Sequence, residues 1–154
     1  MEATTVKTHA TFSGGVHPAG NKELTAHKPT VAAAVPKRVV IPLSQHIGAP
    51  SKPLVVIGQE VKKGEKIGES GGFVSAPVHA SVSGKVAAIG NFPHVLGMDV
   101  TSIVIESDGK DEWVSGIRET PDYGVLSPDE LKKMVQDAGI VGMGGATFPT
   151  HVKL

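Results

Sequence analysis

The chain has 154 residues with 15 Lys and Arg against 15 Asp and Glu, 19 Gly, 11 Pro and no Cys. That length suits one domain with an appendage, and a formal charge of zero argues against the basic face of a nucleic-acid binder. The lack of cysteine excludes disulfides, Cys-type zinc sites and Cys-ligated iron–sulfur clusters within these residues. No apolar run approaches the ~20 residues needed to span a bilayer, and Met1 to Ala10 lacks the apolar core of a signal peptide. The expectation is a cytoplasmic protein that reaches a membrane through partners rather than by insertion.

Residues 1–37 show no sustained periodicity. Phe12 to Pro18, Pro29 and Pro36 suit extended chain and turns, and Val31 to Val35 has room for one helical turn before Pro36 ends it. This segment is expected to be an arm on the next unit. From Arg38 to about Asp111 the text changes to strand-sized runs rich in β-branched residues. These are Val39–Leu43, Leu54–Ile57, Lys66–Gly68, Phe73–Ser75, Lys85–Ile89 and Thr101–Glu106, with glycine turns between them. Scarce aromatics and frequent turn-formers favour small-residue β packing, a sandwich or barrel. Leu54 to Gly58 is echoed by Val86 to Gly90 at an offset of 32 residues.

The third stretch begins near Trp113. Ser127-Pro-Asp-Glu130 carries an N-cap, a proline at the first helical position and the acid of a capping box. Leu131, Met134, Val135 and Ala138 follow at helical spacing, and Gly139 ends the predicted helix.

Two motifs carry the functional reading. Gly58 to Ile67 followed by Ser75 to Val86 resembles the biotinyl/lipoyl family, whose fold is a barrel-sandwich hybrid. Those carriers modify a hairpin Lys between the two halves. Residues 67–84 contain no Lys, and Lys85 stands at strand entry, so the resemblance implies the fold without the carrier function. The second motif is Gly139 to Leu154. Gly142, Gly144 and Gly145 remove Cβ atoms where a phosphate needs close approach of backbone N–H groups, and Lys153 adds a point charge suited to phosphate. Taken alone, a glycine-rich loop after a helix is more often a plain turn.

The full string Gly142-Met-Gly-Gly-Ala-Thr-Phe-Pro-Thr-His-Val-Lys153 resembles the signature of the FMN- and NADH-binding flavoprotein subunit of respiratory complex I. By that resemblance Gly142, Gly144, Gly145, Ala146 and Lys153 lie on the flavin side and Phe148 on the nucleotide side. Met143 departs from it, because the complex I pattern usually has Arg there. Together with Gly14 to Pro18, Ile41 to Pro50 and Gly72 to His79, the loop is similar to the C-subunit family of Rnf electron transport complexes.

That resemblance implies a peripheral subunit on the cytoplasmic side of a membrane-bound assembly. Electrons would pass between ferredoxin and NAD through FMN, coupled to ion translocation. FMN takes hydride as a pair and releases electrons singly, with the protein supplying position. Two [4Fe-4S] clusters would lie beyond residue 154. The expected partners are the other subunits and NAD(H), without nucleic acid.

The expected fold is mainly β. Residues 1–111 form an arm plus a barrel-sandwich hybrid, and residues 112–154 form the linker, helix and glycine-rich loop that open an incomplete α/β flavin-binding domain. On its own this stretch is expected to hold no cofactor and to serve in assembly. A microcompartment-type cobalamin reductase subunit with the same loop is an alternative, as is a non-catalytic interaction domain. None of the seven histidines (His9, His17, His27, His46, His79, His94 and His151) has zinc-like spacing. His46 and His79 stand in the motifs as candidate loop caps. No nucleophile context or catalytic residue is expected.

Overall fold

Ile103, Val104 and Ile105 are completely buried, and the sheet is built outward from them. They lie in β7 (Asp99–Ser107), which pairs antiparallel with β1 (Arg38–Pro42) on one side and β6 (Gly84–Pro93) on the other. Val39 stands opposite Ile105, and Ile41 opposite Ile103. β3 (Glu60–Val61) extends the sheet beyond β6, giving the order β1-β7-β6-β3. A second antiparallel sheet comprises β2 (Lys52–Pro53), β4 (Lys66–Glu69) and β5 (Val78–His79), with β4 central. Leu43, Val61, Ile67, Val78, Val82 and Val86 join Ile41, Ile103 and Ile105 in a single cluster. Burying each such aliphatic side chain contributes roughly 1.5–3 kcal/mol.

This is a computed structural model describing residues 18–117 and 121–154. The sequence motif at Gly14 to His17, and His9, lie outside the described residues. The chain forms two units, residues 1–33 and 34–154. In the described part of the first, the regular element is a 3-10 turn at Lys22–Leu24, which the sequence reading missed. Val31 to Val35 forms no helical turn.

Two predicted strands are absent. At Leu54 to Ile57, Leu54 N–H donates to the Ile67 carbonyl and Val55 is buried, but Val56 and Ile57 are exposed. A turn closed by Gln59 N–H to the Val56 carbonyl ends the run before it extends. Phe73 to Ser75 bends because the Ser75 hydroxyl accepts from Gly71 N–H at 2.9 Å, leaving Phe73 exposed and Ser75 buried. The two-residue strands β2, β3 and β5 are too short to announce themselves by pattern. The echoing stretches do meet, since Gly58 N–H donates to the Val86 carbonyl and Val86 N–H to that of Gln59. Lys85 is the second residue of β6, opposite Glu60 and Glu106.

Trp113 continues onto the β unit through a parallel bridge to Lys63, whose ammonium lies 4.9 Å from the indole centroid. Lys63 N–H donates to the Glu112 carbonyl and Val114 N–H to that of Lys63. The surface pairs Lys62–Glu112 and Lys63–Asp111, both 2.7 Å, add little beside these backbone bonds. Among the described residues no helix is long and apolar enough to cross a membrane.

Candidate functional site: the glycine-rich loop and its seat

The helix α1 (Pro128–Asp137) forms where the capping signal predicts it. Glu130 N–H donates to the Ser127 hydroxyl at 3.3 Å, and Ser127 N–H donates to the Glu130 carboxylate at 2.8 Å. The Ser127 hydroxyl also donates to that carboxylate, at 2.7 Å, and the two bonds from Ser127 N–H and hydroxyl hold the Glu130 carboxyl below its ordinary range. The apolar face is less covered than its spacing suggests. Leu131 and Met134 are exposed and no helix residue is fully buried, because contact is concentrated at the C-terminal end.

That end is closed by a Schellman motif, with Gly139 N–H donating to the Gln136 carbonyl and Ile140 N–H to that of Val135. Gly139 takes φ +68°, and a Cβ there would lie 2.5 Å from the Pro77 carbonyl oxygen and 3.2 Å from Nδ1 of His79. Glycine therefore supplies both the left-handed turn and the close approach to β5. Lys66 of β4 bridges to Asp137 at 2.9 Å, and Lys133 reaches the same carboxylate one helical turn away. Asp137 is held below the ordinary carboxylate range, first by its hydrogen bond to Lys133 and also by Lys66. His79 titrates below the ordinary histidine value, chiefly through burial and then through the Lys66 charge.

From this seat the chain enters the loop. Gly142 N–H donates to the Phe148 carbonyl at 2.8 Å, Val141 bridges Pro149, and Thr150 N–H returns to the Ile140 carbonyl. The base is a hairpin, pinned by the buried Pro149 and His151. Its tip is the turn from Gly144 to Thr147, closed at 3.1 Å, and Ile47 N–H donates to the Ala146 carbonyl at 3.2 Å. Phe148 and Lys153 are brought together, with the ammonium 5.2 Å from the ring centroid.

The residues of the tip fit a phosphorylated cofactor. Among the described residues, the amides of Met143, Gly144, Gly145 and Ala146 donate to no protein acceptor. A Cβ built on Gly144 or Gly145 meets nothing within 4 Å, and neither residue has a positive φ that would call for glycine. The chain's own packing thus gives no reason for glycine at these two positions. Close approach by something outside the chain does give one. Met143 is fully exposed, so the side chain in place of the expected Arg lies on the open face.

The sequence reading missed the seat: Asp137 lies in no motif, and Lys66 and Ile47 lie within motifs without being singled out there. His79 was expected to cap a loop of the sandwich; it packs against Gly139 instead. His46 does act as a cap. Its Nε2 accepts from Ala76 N–H at 3.0 Å, which leaves Nδ1 to donate to the Ile47 carbonyl at 3.1 Å. No cluster of three or more metal-ligating side chains occurs among the described residues.

A family profile described as the RnfC barrel sandwich hybrid domain matches residues 10–110. The chain belongs to that family. Over 143 residues it is 54% identical to a Clostridium ljungdahlii protein named as the C subunit of a proton-translocating ferredoxin:NAD(+) oxidoreductase complex, covering 93% of this chain and 31% of the relative. Over 146 residues it is 53% identical to the Na(+)-translocating counterpart of Acetobacterium woodii, covering 95% of this chain and 33% of the relative. The C subunit of a Pseudomonas aeruginosa ion-translocating oxidoreductase complex is 44% identical over 145 residues, 93% of this chain and 19% of the relative. The chain thus spans a third or less of the length of these relatives. The RnfC profile ends at residue 110, before α1 and the glycine-rich loop, whereas the alignments to the relatives cover nearly the whole chain.

Proposed function

We propose that this chain is the N-terminal part of a peripheral subunit of a membrane-bound complex. The complex passes electrons between ferredoxin or iron–sulfur centres and NAD through FMN, on the cytoplasmic side, and couples the transfer to ion translocation. The observation that carries this reading is the loop tip: amides without acceptors and two glycines facing open space, in a chain whose relatives are named as C subunits of ferredoxin:NAD(+) oxidoreductases. FMN, when bound, supplies the exchange between a hydride pair and single electrons. This chain's contribution is to bind and orient. The amides of Met143 to Ala146 would receive the phosphate, with Gly142 shaping the hairpin base beneath them. Lys153 would supply positive charge, and Phe148 would lie on the nucleotide side. The nearly equal identity to proton- and Na(+)-named relatives does not select an ion. Nothing in the comparisons supports the cobalamin-reductase alternative.

The barrel-sandwich residues carry no chemistry of their own, and we read the 154-residue stretch as an assembly module that opens the flavin-binding domain and is itself inactive. A pocket usually buries most of its ligand within ~300–1,000 Å³, and the relatives continue over roughly twice as much sequence again. Titration with FMN, followed by fluorescence quenching, tests this reading. The 154-residue chain is expected to bind weakly or not at all, and the full-length subunit to take up flavin. Micromolar or tighter binding by the short chain would remove the assembly-module reading, and failure of the full-length subunit to bind would remove the flavin reading.

A further inference from the structure

The tip of the glycine-rich loop is one wall of a cleft of about 530 Å³, whose other walls come from the barrel-sandwich part. Ile47 and its neighbours form one of these, and the β6–β7 turn with Val95 and Leu96 forms the other. The volume lies within the range of small-molecule sites. Its chemistry sets it apart from two other clefts among the described residues. Those are lined by Lys, Glu and Asp, whereas this one has no Asp, Glu, Lys or Arg in its lining.

The walls are held by bonds independent of any ligand. Ile47 N–H is tied to the Ala146 carbonyl, and its own carbonyl to His46. The β6–β7 turn is closed by His94 N–H to the Met98 carbonyl and Gly97 N–H to that of His94, both 3.0 Å. Leu96 N–H donates to Nδ1 of His94 at 3.3 Å. This turn presents Val95 at 94% and Leu96 at 74% exposure, an arrangement that covers nothing in the chain itself. Exposed apolar side chains on a hydrogen-bonded turn, beside a row of acceptor-free amides, suit a ligand with a flat apolar part and an anionic part.

We propose that the barrel-sandwich part supplies the outer wall of the cofactor site, and that the heteroaromatic ring of a phosphorylated cofactor lies in the cleft against Ile47, Val95 and Leu96 while its phosphate meets the loop amides. The inference rests on the flavin-loop reading above. FMN and NAD(H) share this chemistry, and the experiment separates them. In the full-length subunit, Val95→Asp and Leu96→Asp place a carboxylate on the apolar wall. Both residues are exposed, so thermal midpoints should match the parent. Gly145→Asp disturbs the loop tip, and Phe73→Asp alters an exposed apolar residue that does not line the cleft.

Each protein is titrated with FMN after flavin removal, and with NAD(H). Leu96→Asp is expected to weaken one ligand at least about ten-fold and spare the other, which identifies the ring in the cleft. Phe73→Asp should change neither. Loss of FMN binding in Gly145→Asp, with both ligands unaffected by Val95→Asp and Leu96→Asp, would overturn the inference and leave the loop reading standing. Unchanged binding in Gly145→Asp would overturn the loop reading and this inference with it.

Discussion

Replacing Gly139 by Ala tests how the loop is anchored, and Gly109 provides the matching control. Both glycines have φ near +70°, at +68° and +73°. Left-handed backbone costs an ordinary L-residue roughly 1–2 kcal/mol, so both substitutions carry that penalty. They differ in space. A Cβ on Gly109 meets nothing within 4 Å, whereas one on Gly139 lies 2.5 Å from a backbone oxygen and 3.2–3.3 Å from the His79 ring. A backbone carbonyl beside β5 cannot swing aside as a side-chain tip can, so Gly139→Ala adds an overpacking cost of about 1–3 kcal/mol. Gly109→Ala should therefore destabilise by about 1–2 kcal/mol and Gly139→Ala by about 2–5 kcal/mol. Urea unfolding gives the totals, and native-state hydrogen exchange locates the change. In Gly139→Ala the amides of α1 and the loop base should exchange faster while those of β6 and β7 keep their protection. Equal losses in the two variants would refute the claim that close approach to Pro77 and His79, beyond the turn itself, fixes the loop.

Ser127→Ala removes the acceptor for Glu130 N–H and should cost about 1 kcal/mol, read as faster exchange in the first turn of α1. Acidification should loosen the seat in two steps. His79 is lowered in the fold, so between its folded value and the ordinary histidine value the unfolded chain binds more protons; stability rises with pH across that window and is lost as pH falls through it. Asp137 is also lowered, so its contribution is present above the ordinary carboxylate value and is lost as pH falls through the folded one. His79→Gln should abolish the upper step and keep the lower, as followed by α1 exchange against pH; a retained upper step would assign it to another group.

The parts legible in the sequence were those whose signal is local. Ser127 and Glu130 satisfy each other within four residues, so the cap is written in the string itself. The long pair β6 and β7 shows as β-branched runs because both must cover the core. Leu54 to Ile57 has the same composition and failed as a strand, since its fate depends on a turn closed from Gln59 and on pairing with Ile67, a residue beyond that turn. Phe73 to Ser75 failed for a similar reason: the Ser75 hydroxyl bonds back to Gly71, which strand propensity does not register.

The site divides along the same line. Gly142, Gly144, Gly145, Ala146, Phe148 and Lys153 are contiguous and could be matched as a motif. Their support comes from residues roughly 60 to 100 positions away: Lys66 and His79 at the helix end, and Ile47 at the loop tip. Individually these are an ordinary lysine, histidine and isoleucine. Their meaning arises from the meeting of two chain segments, which periodicity and spacing do not encode. The division also explains why Gly139 and Gly144 have opposite reasons for being glycine. Gly139 is dictated by the protein, which leaves no room for a Cβ. Gly144 is not, because the protein leaves that space open. A substitution series therefore separates the two roles by readout: alanine at 139 should be felt in stability, whereas alanine at 144 should leave the fold intact and be felt in ligand affinity.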